Sequence, residues 1–131
     1  MMVNFGRRSR ILFAFALIIG ARAHAHHAEA LFDHSRTLSA TGTLKSYLWA
    51  NPHTLVYLRV FNAAGSTDVD VFEAGSVAVM SRHGWSPEMF KAGDTLTVLY
   101  HPRRDLKPGG MLLSVTTAKG VSFSWQPASM P

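Results

Sequence analysis

Downstream of Thr41 the hydrophobic period changes from two to that of a helix at only one well-marked point, and that restricts the folds open to the chain. Three segments with β-type alternation come first: Thr41 to Trp49 (TGTLKSYLW), Thr54 to Phe61 (TLVYLRVF) and Thr67 to Glu73 (TDVDVFE). In the first, Leu44, Ser46 and Leu48 share one face, and Thr43, Lys45, Tyr47 and Trp49 the other. Val56, Leu58 and Val60 form the inward set of the second. In the third, Val69 and Val71 alternate with Asp68, Asp70 and Phe72, the pattern of a sheet with one face in solvent. The spacing then becomes helical: Ser76 can cap a helix starting at Val77, Val77, Met80 and Ser81 follow at its period, and Gly84 ends it. Ser86-Pro87 opens a second short turn to Lys91. Thr95 to His101, Met111 to Thr117 and Val121 to Trp125 return to strand patterning, with Leu96, Val98 and Tyr100 on one face. Three strands, one short helix, then two or three strands is the order of a small, partly open OB-fold-like barrel: all-β with one short helix.

The N-terminal segment has a different character. Arg7, Arg8 and Arg10 precede the apolar run Ile11 to Gly20, and small residues follow it, the three-part layout of a secretory signal peptide. The run is shorter than the roughly 20 residues that a membrane-spanning helix needs. The expected division is therefore a signal peptide over 1–25, an arm over 26–40, the barrel over 41–125 and a disordered tail over 126–131. Two overlapping A-x-A signals allow cleavage after Ala23 or after Ala25, the cut after Ala25 being the boundary of this division, and the product would be periplasmic or secreted with no membrane span. The chain has 13 Lys plus Arg against 8 Asp plus Glu, but Arg7, Arg8, Arg10 and Arg22 leave with the signal. The mature protein is thus nearly neutral, and nucleic acid is not an expected partner. There is no cysteine, so thiolate metal sites, disulfides and thiol catalysis are excluded.

Chemistry is sparse. Cleavage after Ala25 would give His26 a free amine that can chelate a metal together with its ring, with His27 beside it. Cleavage after Ala23 would leave His24-Ala25-His26, a sequence able to wrap copper(II) in a square plane of nitrogens. Copper or another divalent metal is the candidate cofactor, with His53 as the barrel's contribution and His34 and Glu73 in reserve. Trp49-Ala50-Asn51-Pro52-His53 joins the first two strands, where OB-like barrels hold ligands, so Trp49 and Asn51 are candidate ligand contacts. The alternative roles are a Trp49 plug in the barrel end, a His53 that caps its turn, and a Glu73 that serves the helix N-terminus. His101-Pro102-Arg103-Arg104 makes a basic patch offset by Asp105. No nucleophile elbow, phosphate loop or H-E-x-x-H helix is present, and no catalytic residue is nominated. The two readings are a small-ligand or metal binder and an envelope protein interaction module.

His26-His27, Phe32-Asp33, Thr41-Gly42-Thr43, Asn51-Pro52-His53, Phe72-Glu73, Gly75-Ser76, Gly84-Trp85 and Gly93-Asp94 occur in an order that resembles a family of small exported bacterial proteins, domain of unknown function 6152. The resemblance covers about residues 26 to 117. It implies an exported β-barrel with no established activity, whose mature chain begins with a histidine pair, which supports cleavage after Ala25, and it brings no catalytic residues with it.

Overall fold

β1 (Leu38–Leu48) is long because it serves two neighbours in turn. Its first half, Leu38 to Thr43, runs antiparallel to β4 (Thr95–Pro102), and its second half, Thr43 to Leu48, pairs with β2 (Leu55–Phe61). It begins at Leu38, three residues earlier than its alternation indicates, and must bend where it changes partner. Two local features allow this. Gly42 lies so close to the Arg59 carbonyl that a Cβ there would overlap it. At Lys45 the register with β2 slips by one residue, a β-bulge. The Leu44 N–H donates to the Asp94 carbonyl, and the Leu44 carbonyl accepts from Gly93, each at 2.8 Å, so the turn before β4 satisfies the backbone at the bend.

The bulge corrects the reading of β1. Leu44 is buried, but the extra residue reverses the alternation beyond it. Tyr47 and Trp49 turn to the core, and Leu48 is left 47% exposed. β3 (Thr67–Glu73) needs a similar correction. Its inward residue is Phe72, which is fully buried against Tyr100, while Val69 and Val71 lie outside at 39% and 36% exposure. One large aromatic takes the core position there in place of two valines. The inward set of β2 is as the sequence indicates, with Val56 and Leu58 fully buried and Val60 packed at the core margin.

The chain is described by a computed structural model over residues 30–126. His26 and His27, the segment 1–25 read as a signal peptide, and the tail beyond Gln126 lie outside the described residues. After β3 comes the only helix among the described residues, α1 (Val77–Arg82), with Ser76 as its N-cap and Gly84 just past its end at φ +80°. β5 (Gly110–Thr117) and the short β6 (Ser122–Ser124) complete the element order. The strands hydrogen-bond in the order β3-β2-β1-β4-β5-β6, and β3 returns to pair in parallel with β5. The five strands β1-β2-β3-β5-β4 therefore close on themselves with the helix between β3 and β4, the OB-fold arrangement. Among the described residues no helix is long and apolar enough to cross a membrane.

Closure is short. β3 meets β5 only at Phe72↔Gly110 and Glu73↔Met111, while Gly110 also faces Pro102 of β4. A side chain has no room here. A Cβ on Gly109, which sits at φ +89°, would strike the Val71 backbone, and one on Gly110 would strike the His101 carbonyl and the Tyr100 ring. Beyond the seam, β5 is buried on both faces. Leu112 and Val115 enter the barrel core, whereas Met111 and Leu113 pack outside with Phe32 and Trp125. Phe32 and Asp33 of the arm dock on β4 and its following loop: Asp33 donates its N–H to the Pro102 carbonyl at 2.8 Å, and Arg104 Nε donates to the Phe32 carbonyl at 3.0 Å. Gly109→Ala is expected to cost roughly 3 kcal/mol, because the methyl would overlap the Val71 backbone as well as meet the left-handed conformation. Gly65→Ala is the control: it shares the left-handed conformation but has nothing within 4 Å, so it should cost only about 1 kcal/mol. Urea unfolding of the two variants checks the difference.

Candidate functional site

The β1–β2 loop and the β3–α1 turn, far apart in sequence, form one hydrogen-bonded unit at an end of the barrel. Thr54 donates its N–H to the Gly75 carbonyl at 2.9 Å, and Ala74 donates to the Thr54 carbonyl at 2.8 Å. Asn51 Oδ1 accepts the Val77 N–H at 3.0 Å, across 26 residues of chain. Asn51 thus supplements Ser76, whose Oγ accepts the Val79 N–H at 3.4 Å, in satisfying the first turn of α1. Gly75 is buried beneath the Trp125 ring and Val79, about 3 Å from where a Cβ would sit. Trp49 is half-buried, packed on the core and tilted against Tyr47 with ring centroids 6.0 Å apart. The Asn51 carboxamide oxygen is therefore engaged by the fold and Trp49 lies largely against it, which leaves His53 and Glu73 as the chemically available pair.

The His53 and Glu73 side chains remain 41% and 30% exposed. His53 Nδ1 lies 3.2 Å from Glu73 Oε1 and 3.2 Å from the Ala74 carbonyl oxygen. Both neighbours are acceptors, so Nδ1 carries the proton, and in the neutral ring the lone pair is on Nε2. The backbone of Glu73 is gripped on both edges, by Leu55 of β2 and Met111 of β5. The pair is accordingly held from below by the sheet and from the side by the loop.

Beside Glu73 is an open groove of about 240 Å³ whose walls include Phe32, Val71, Arg103, Lys107 and Pro108. Its charges are largely spent within the β4–β5 loop. Arg103 grips Asp105 with two bonds of 2.9 and 2.8 Å, and this pairing holds the Asp105 carboxyl down at about 2. The basic patch at Arg103-Arg104 is thus a set of ties, one to Asp105 and one to the Phe32 carbonyl. His101 is buried, with Nδ1 2.7 Å from the Arg36 carbonyl, and His34 stands edge-on to it at 5.0 Å. His34 is therefore part of the arm's contact with β4. Among the described residues no three His, Asp or Glu converge as a metal site.

The sequence did not point to Asn51 as a helix cap or to the groove. Residues at a β-turn and at a helix start carry no mark of which partner they meet. The one usable signal was that Asn51-Pro52-His53 and Glu73-Ala74-Gly75-Ser76 both sit at ends of strands adjacent in an OB order.

A family model described as a family of unknown function, DUF6152, matches residues 15–113. The chain belongs to this family. The matched span includes the β1–β2 loop and the β3–α1 turn, and with them the His53–Glu73 pair. No curated protein matches the sequence. Among solved structures, the mitochondrial single-stranded DNA-binding protein Rim1 of S. cerevisiae is similar at 10% identity, covering 66% of this chain and 97% of that one with a TM-score of 0.46. That likeness is too distant to bear on function. For the DUF6152 chain, Asn51→Ala should cost about 1 kcal/mol of stability, measured by thermal or urea unfolding, as a helix-cap substitution does. A ligand-contact role alone would leave stability unchanged.

Proposed function

We propose that this DUF6152 protein is an exported, non-catalytic barrel that binds a divalent metal at its rim, with copper(II) the foremost candidate. The observation that supports this is the setting of His53. Its Nδ1 proton is shared by a carboxylate and a backbone carbonyl while the ring stays partly exposed, the outer arrangement that orients metal-ligating imidazoles. In this reading His53 Nε2 is the ligand, and Glu73 orients the ring rather than binding the metal. The remaining donors would be the amine and ring of His26 with His27, freed by cleavage after Ala25. Nitrogen donors of this kind favour copper(II) over calcium or magnesium.

Copper(II) titration of the mature, untagged protein, followed by its visible absorption band, tests the reading. One tight equivalent is expected, lost when His53 becomes Ala and weakened roughly 10-fold to 100-fold in Glu73→Gln. Affinity no greater than that of a short peptide starting His-His, or a tight site indifferent to His53→Ala, would refute it. Mass spectrometry of the exported protein checks the premise, since an N-terminus other than His26 or His24 removes the chelating amine.

A further inference from the structure

We propose that the open edge of β3, from Thr67 to Asp70, is a docking site for an extended polypeptide segment in which apolar and basic residues alternate. β3 pairs with β2 along all seven of its residues, but on its other side it meets β5 only through Phe72 and Glu73. Among the described residues no strand lies against the remainder of that side. Backbone groups alternate in direction along a strand. Because the Val71 carbonyl faces Gly109 on the β5 side, the N–H and C=O of Val69 and Thr67 face the same open side. These groups are a template for an added strand, and main-chain pairing of this kind gives affinity while alternating side chains give selectivity.

The side chains state which sequence fits. On the outer face Val69 and Val71 are exposed, and they offer apolar contact to every second residue of an incoming strand. On the other face stand Asp68 and Asp70. Asp68 accepts a 2.7 Å bond from Asn62 Nδ2, whereas the half-buried Asp70 carboxylate has no hydrogen bond or ion pair among the described residues. Burial and the neighbouring Asp68 push the Asp70 carboxyl above its ordinary value, which is the mark of a charge that lacks compensation. Basic side chains at the alternate positions of a docked segment would supply it. The same carboxylates argue against a second copy of this chain: antiparallel self-pairing centred on Val69 sets Asp68 opposite Asp70 twice, and like charges opposite one another destabilise a ladder. Where the open edge ends at Val71 the groove with Phe32, Lys107 and Pro108 begins, so a terminal side chain of the docked segment has a recess to enter. This site uses neither His53 nor the arm histidines, and it stands or falls apart from metal binding.

The test is a nitrogen-15 NMR titration of the mature protein with an end-blocked ten-residue peptide of alternating valine and lysine. A valine–glutamate peptide and a valine–lysine peptide N-methylated at alternate residues serve as comparisons. The valine–lysine peptide is expected to shift the amides of Thr67 and Val69, and N-methylation to abolish the shift. Asp68→Asn with Asp70→Asn should weaken binding roughly 10-fold, the effect of losing two cross-strand charge pairs. Asp70→Asn alone, which removes a carboxylate the fold does not use, should keep the fold and give part of that loss. The proposal is overturned by equal binding of the valine–glutamate peptide, by no shift at Thr67 and Val69 up to millimolar peptide, or by variants that bind unchanged. Shifts at these amides with a single-stranded oligonucleotide and not with the peptide would overturn it as well.

Discussion

The circle of this five-stranded barrel is closed by the approach of β5 to β3 at Gly109-Gly110. Two pairs of strands that are not hairpin partners come together in it, β1 with β4 along six residue pairs and β3 with β5. β5 enters between the backbones of Val71 and His101, where even a methyl group has no room. Only two residue pairs close the circle, so the geometry of this seam fixes the end of β3. Several features follow from it. Glu73 is paired on both edges, the groove opens between Val71 and the β4–β5 loop, and among the described residues no strand pairs with the rest of the β3 edge on that side.

The fixed end of β3 then organises the rim. Glu73, Ala74 and Gly75 leave the sheet as a turn whose carbonyls and N–H groups are taken up by Thr54 and His53, and Asn51 reaches over to cap α1. Motifs that seem separate along the chain thereby become one contact, held by backbone bonds rather than by long flexible side chains. Such a unit costs little to keep ordered, which is what the proposed binding site requires. His53 and Glu73 stay partly accessible within the unit, with their side chains in contact.

Much of the architecture was legible in the sequence, because strand and helix periods and the Ser76 and Gly84 boundaries are local properties. The inward set of β2 and the helix between β3 and β4 belong to that class. What was not legible depends on pairing. The bulge at Lys45 is a consequence of β1 changing partner, and it reverses the faces of Tyr47, Leu48 and Trp49 without any mark in the alternation. In β3 the valines read as naturally inward as Phe72, and only the volume available opposite Tyr100 decides between them. His53 and Glu73 were nominated separately on chemical type, and their 3.2 Å approach was hidden until the β1–β2 loop docked on the β3–α1 turn. His34, nominated beside them, is instead held at His101 by the docking of the arm.

The central claim is that the rim holds His53 with Nδ1 satisfied and Nε2 presented to a metal. A crystal structure of the mature protein grown with copper(II), with anomalous diffraction recorded at the copper edge, addresses this most directly. The account predicts an anomalous peak about 2 Å from His53 Nε2, with Glu73 still hydrogen-bonded to Nδ1. A peak confined to the N-terminal histidines, or a His53 ring whose Nε2 donates to the protein, would contradict it.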